Sequence, residues 1–364
     1  MAILIVVLAD PVYIDTTVRN QREANMAENY HRLFRQAQGR RHDNPQAAVQ
    51  GMKNAIAKAR EAGDDRALLE FNHWLLQTLI FKTRDIKQAL PLAMETAVEA
   101  RKDKYKDMQE HICVYQDLIL TYLDTDPVGH ETVIEEALDY MQAEVADQQI
   151  QCRTCLQGLR SDFEFARADG DYTRAVEEAN RQISVAEGFF WSRAHHQSFA
   201  YALLARIAYE REDWDAMMDA AHTAVEISGS KRDVLTNACI ANLALAIGYY
   251  QRDQHEDADR HFQKATFDAR STSALMPPDY YDLLRAYHER RGADDLALLV
   301  TDTELAEIED LGLLYREARV NVVRCELLAR LGKLTTNDRD RATVAIEQLK
   351  APAKLHDRLA AIQR

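Results

Sequence analysis

Small and apolar residues recur along this chain as a triplet: an anchor, then a small or apolar residue four positions on and another, in most copies, seven positions on. Ala48 is followed by Met52 and Ala55, Ala89 by Ala93 and Thr96, Ile134 by Leu138 and Met141, and Ala175 by Ala179 and Gln182. Met217 is followed by Ala221 and Ala224, Ala258 by Phe262 and Ala265, and weaker copies begin at Leu296 and Ala342. Offsets of four and seven put three residues on one face of an α-helix. Successive anchors stand 41, 45, 41, 42, 41, 38 and 46 residues apart. A near-constant period of that length marks stacked supersecondary units rather than one compact core.

A polar turn comes just before several anchors, and another apolar helical stretch comes before the turn. The turns read Thr83-Arg84-Asp85-Ile86, Asp169-Gly170-Asp171-Tyr172, Arg211-Glu212-Asp213-Trp214 and Arg252-Asp253-Gln254-His255. Each anchor is therefore assigned to the second helix of a pair, with Asp residues capping its start, where a carboxylate accepts from orphan amides and suits the positive helix end. Clusters of β-branched residues bounded by turns, which strands would need, are almost absent. The predicted fold is all-α, with repeats over 25–350, an N-terminal arm at 1–24 and a terminal capping helix at 351–364. That last segment is also open to a reading as a dimer face.

Composition agrees. Only 12 Gly and 7 Pro punctuate 364 residues, so turns are few and elements long. With 47% hydrophobic and 29% charged residues the chain has enough apolar surface to fold. A net charge of −14 disfavours binding to nucleic acid and to anionic membranes. Five irregularly spaced cysteines do not form a disulfide framework and suit the cytoplasm. The apolar run Ile3 to Leu8 lacks a basic flank and is too short to span a bilayer. It reads as a short buried strand, a docked arm or a mis-assigned start.

Two central stretches carry a family likeness. Leu204, Ala205, Ala208, Trp214, Met217, Ala221 and Ala224, then Leu245, Ala246, Tyr249, Ala258, Phe262 and Ala265, stand at the offsets of the tetratricopeptide repeat signature. The chain resembles that family, in a long-period form: the usual repeat is about 34 residues, and longer helices are like those of bacterial regulators with extended repeat domains. Gln182, Asp162 and Arg35 stand where the pattern asks for apolar or small residues, and Pro91 falls inside a predicted helix, where it should kink the chain or delay the helix start.

The resemblance implies a right-handed superhelical solenoid whose first helices line a concave groove that receives a protein or peptide. Groove positions of the family select Asn72, Trp74, Thr78, Arg160, Glu164, Arg167, Arg206, Tyr209, Asn242 and Tyr250. Arg160, Glu164 and Arg167 share one helical stripe, which reads either as a clamp for a peptide carboxylate or as a salt-bridge ladder. Phe189-Phe190-Trp191 reads as an exposed anchor or as a seal between repeats.

Motifs for chemistry are missing. Neither a G-x-x-x-x-G-K-[ST] loop nor a G-x-G-x-x-G turn occurs, nor an H-E-x-x-H pair, and His195-His196 are adjacent and point apart. Cys152 and Cys155 form the one C-x-x-C, with no second pair to complete a zinc site, and Cys113, Cys239 and Cys325 fall in apolar helical stretches. Glu135-Glu136 and Glu177-Glu178 face different directions and suit a solvated surface. No cofactor, metal or enzymatic role is expected. Two functions compete: a scaffold or adaptor, and a peptide-sensing regulator that sequesters a partner. Residues 1–24 are too few for a helix-turn-helix domain, which removes a DNA-binding output from that stretch.

Overall fold

The computed structural model describes residues 29–189, 192–229, 234–272 and 275–362. The arm at 1–24 with its apolar run, and Phe190 and Trp191, lie outside the described residues.

Seventeen helices follow one another among the described residues. They fall into pairs: α1 (29–39) with α2 (Pro45–Ala62), α3 (Asp65–Thr78) with α4 (Ile86–Ala100), α5 (Glu110–Thr125) with α6 (Glu131–Glu144), and α7 (Ile150–Arg167) with α8 (Thr173–Ala186). Next come α9 (Arg193–Glu210) with α10 (Trp214–Ser228), α11 (Leu235–Gln251) with α12 (His255–Arg270), α13 (Pro278–Arg290) with α14 (Asp294–Ile308), and α15 (Leu314–Arg330) with α16 (Thr336–Glu347). A last helix, α17 (Ala353–Ala361), buries Leu355 and Leu359 against the final pair.

Every anchor falls in the second helix of a pair. Ala48, Ala89, Ile134, Ala175, Met217, Ala258 and Ala342 are all buried. Leu296 is the correction: it is 49% exposed, and the buried triplet of α14 is Ala297, Thr301 and Glu304. The turn explains the register. In five of the eight pairs the backbone turns left-handed five residues before the anchor, at Arg84 (φ 54°), Gly170 (85°), Glu212 (55°), Asp253 (58°) and Gly292 (68°). Counting five from Gly292 gives Ala297. The spacings thus become 41, 45, 41, 42, 41, 39 and 45.

Local chemistry fixes the helix starts. Asp85 accepts from Gln88 N at 3.0 Å, Asp213 from Ala216 N at 3.1 Å, and Asp171 from Thr173 N at 3.0 Å. Asp253 does not cap; it occupies the left-handed turn, and Gln254 stands at the helix start without a side-chain cap. Helix α4 runs through Pro91. Its first turn is held from outside, by the Asp85 cap and by Lys87 N donating to Leu311 O at 3.0 Å, so the missing proline amide does not delay the start.

That Lys87 bond belongs to a larger closure. The array curls until α15 packs against α5, and Leu305, Ile308, Leu313 and Val320 join the apolar core of α1 to α7. Asp126, buried after α5, accepts from Lys350 N at 2.6 Å, Ala351 N at 3.2 Å and Gly129 N at 2.9 Å. Lys354 on α17 reaches Asp169 at 3.1 Å. Among the described residues no helix is long and apolar enough to cross a membrane.

Candidate functional site

Because the array curls round, its inner surface lines a half-open central cavity of about 1740 Å³. Its wall comes from the first helices of the pairs, α3, α5, α7, α9, α11, α13 and α15, with the turns beside them and Ile227 at the end of α10. The second helices face outward because their small anchor faces are used up against the first helices. The wall is mixed in character. Phe81, Phe165, Tyr172, Phe199 and Tyr315 supply rings, and seven Lys or Arg stand against five Asp or Glu, a small cationic excess inside a chain that is strongly acidic overall.

Most of these charges are paired. Arg84 lies 3.6 Å from Asp124. Asp282 receives Arg319 at 2.6 Å, Arg206 at 3.3 Å, and Arg285. Burial works against ionisation of Asp282, but Arg319, Arg285 and Arg206 more than offset it and hold its carboxyl far below the ordinary range. Behind the wall, fully buried Glu304 bridges Arg285 and Arg316, the latter at 2.7 Å, and Arg316 also donates to Met276 O at 3.1 Å.

Guanidiniums of the wall keep buried N–H groups without a hydrogen-bond partner, among them Arg84 at Nε and Arg206. Arg206 is 6% exposed; its Nη2 donates to Asp282, whereas Nη1 beside Glu210 (2.5 Å) and Nε beside Asp279 (3.4 Å) lack hydrogen-bond geometry. Asp162, on α7, has no hydrogen bond or ion pair among the described residues. Burial pushes its carboxyl well above the usual range, and the negative fields of Asp279 and Asp124 push it further.

The groove positions taken from the sequence are distributed differently. Of the ten, Arg206 alone lines the cavity. Thr78 is fully buried, donating to Trp74 O at 2.8 Å and touching Met52 sulfur at 3.6 Å. Asn242 is fully buried too, bonded to Ala238 O at 2.7 Å and His261 at 2.8 Å. Both are corrections: they fasten helices to each other and face no groove. Arg167 gathers Glu131 (2.5 Å), Glu135 (2.8 Å) and Glu164 (2.8 Å), and Arg160 lies 3.5 Å from Asp139, so this stripe ties α7 to α6 as an ion-pair ladder. Trp74 lies under the Arg41 guanidinium at 4.8 Å, Tyr209 under Arg206 and Arg290, and Tyr250 packs on His255 and Tyr287. Asn72 is half-buried on α3 away from the cavity.

Sequence reasoning missed Asp124, Asp279, Asp282, Arg316 and Arg319 as cavity residues. For Asp162 a signal existed, since it breaks the apolar pattern of its helix. Among the cysteines, Cys152 is buried and drawn down to about 7 by a hydrogen bond with Cys113 and another from Gln109 at 3.6 Å, while burial pushes Cys155, at the cavity wall, up to about 12. Among the described residues no three His, Cys, Asp or Glu side chains are gathered as a metal ion would need.

The helix pair repeated eight times, with its buried anchor face and, in five of the eight, a left-handed turn five residues before the anchor, decides the class. The chain is a helical tandem repeat protein. No family model matches this repeat protein, and no curated protein matches it in sequence. Among solved structures it is similar to a circular tandem repeat protein with a novel repeat topology and enhanced subunit contact surfaces, at 14% identity and a TM-score of 0.23, over 95% of this chain and 83% of that one. So distant a likeness carries no weight for ligand or partner.

Proposed function

We propose that this repeat protein binds a peptide, taking a short extended segment into its central cavity, and that its pairs are of the long-period tetratricopeptide type wound in a right-handed sense. The observation that carries the reading is the cavity itself. At about 1740 Å³ it exceeds the roughly 300–1,000 Å³ usual for small-molecule pockets, and it is bounded by helices from most of the repeats. A mixed wall of rings and paired charges suits a peptide, which offers apolar side chains together with backbone donors and acceptors. A folded domain does not fit such a space, so the scaffold reading is retained only for partners that insert a tail.

The peptide-sensing regulator is a second reading, favoured by the closure between α15 and α5 and at Asp126. A ligand touching both sides of that seam would favour the closed arrangement by its differential contacts.

The test is uptake of a pooled synthetic peptide library, read by native mass spectrometry. Ala166, half-buried on the cavity wall, is replaced by Trp to fill the space; Val98, 73% exposed on α4, is replaced by Trp as a control. Peptides retained by wild type and Val98→Trp but lost from folded Ala166→Trp are expected. Peptides held equally by all three proteins, or by none, sink the proposal.

A further inference from the structure

We infer that Cys113 on α5 and Cys152 on α7 form a dithiol site that hydrogen peroxide oxidises reversibly to a disulfide, stapling two neighbouring helices of the array together. The inference goes beyond the peptide reading and stands whatever the cavity binds.

Both residues are free cysteines, and they come from helices that pack directly on each other. Cys152 belongs to the apolar core of α1 to α7, and Cys113 packs against that core. Gln109 fixes which faces meet. It stands one turn before Cys113, whose backbone N donates to Gln109 O at 3.3 Å, and its Nε2 reaches across to Cys152 Sγ at 3.6 Å. The stripe of α5 that carries Cys113 is therefore the stripe that meets Cys152. The sequence motif pairs Cys152 with Cys155 instead, but Cys155 lies on the cavity wall, whereas Cys152 does not line the cavity and turns toward α5.

The two sulfurs divide the chemistry. Cys152 sits in the first turn of α7, where the helix start favours an anion. The hydrogen bond from Cys113, helped by that from Gln109, draws it down to about 7 against the effect of burial. Cys113 is held as the thiol by the same bond and by burial, and it is half-buried, within reach of an oxidant little larger than water. The Cys152 thiolate attacks one peroxide oxygen: an S–O bond forms, the O–O bond breaks, and hydroxide leaves to take up a proton as water. Cys113 then gives up its proton and attacks the sulfenic sulfur; the S–S bond forms, the S–O bond breaks, and a second water departs. Two thiols and one hydrogen peroxide become one disulfide and two waters, and a dithiol reductant reverses the bond.

The experiment treats the full chain with hydrogen peroxide, alkylates the remaining thiols in denaturant, and maps the cysteines by trypsin digestion and mass spectrometry. Residues 107–153 have no internal Lys or Arg and leave as one fragment holding Cys113 and Cys152, while Cys155 falls in the next, 154–160. Fragment 107–153 should appear unalkylated and lighter by two hydrogen atoms, should be restored by dithiothreitol, and should form about tenfold or more faster than Cys239, pushed up to about 12 by burial, is oxidised. Cys155→Ser should leave this cross-link intact. Cys113→Ser should let Cys152 run on to sulfinic acid, which dithiothreitol does not restore. Fragment 107–153 joined to 154–160 would assign the bond to the C-x-x-C and overturn the pair; so would Cys152 reaching sulfinic acid in wild type while Cys113 stays alkylated, or alkylation of both. Folding gives a second readout: the oxidised protein should melt above the reduced one, because a cross-link restricts the unfolded chain, and the gap should vanish in Cys113→Ser. An oxidised form that melts lower would mean that the α5 and α7 faces are not built to hold the bond.

Discussion

The central pairs, α9 to α12, and the closing pairs, α13 to α16, solve the same packing problem with opposite chemistry. In the centre, α11 is buried along nearly its whole length by Ala, Leu, Ile and Cys, and small residues at Ala221, Ala224, Ala258 and Ala265 bring neighbouring helices close. At the closing end the triplet of α14 finishes on Glu304 in place of a small residue, held by Arg285 and Arg316. Apolar faces make helices adhere but tolerate sliding. Paired charges are directional, and their energy is lost when one partner moves. The array places its charged layer where the curl must end in one geometry.

The largest blow to that contrast should come from Glu304→Ala. It leaves two buried guanidiniums without their shared carboxylate, and a loss of about 3–5 kcal/mol is expected in chemical denaturation. Next is acid sensitivity. Asp282 titrates far below its ordinary value of 3.8 in the folded state, so its contribution is complete above that value and drains as pH falls below it. The stability difference between wild type and Asp282→Asn should therefore shrink on acidification below about pH 4, and a constant difference down to pH 2 would show that the ion cluster is not what Asp282 supports. In the centre, Ala221→Leu should cost about 1–3 kcal/mol by forcing α10 from its neighbours, and a neutral result would mean that the apolar half is loosely packed. The smallest effect is a gain. Glu212→Gly relieves a left-handed non-glycine residue and should raise stability by about 0.5–1 kcal/mol in thermal melts.

Much of the fold was legible in the sequence because pairing of successive helices is local. The triplets at 48, 89, 134, 175, 217, 258 and 342 mark buried faces, and the polar turns mark the helix starts. Leu296 was misread because Ala297, Thr301 and Glu304 end on a carboxylate, and an apolar pattern cannot see a buried charge whose partners lie elsewhere in the chain. The site was far less legible. Positions such as Thr78 and Asn242 have the polarity of a groove residue but satisfy it within the helix stack. The cavity depends on how far the array curls, which is set by contacts such as Lys87 with Leu311 that no periodicity records. Of the cavity residues, Arg206 was picked out by its groove position and Asp162 by interrupting its helix's pattern.

The strut at Asp126 ties backbone amides 224 and 225 residues further along the chain. An open stack of repeats unfolds from its ends, each unit exchanging with its neighbours. Once early and late repeats share this bond and a core, fraying of either end also opens the other, so the molecule should melt as a single cooperative unit. The same contacts raise the sequence distance that folding must bridge, so assembly should be slower than that of an open helical array of equal length.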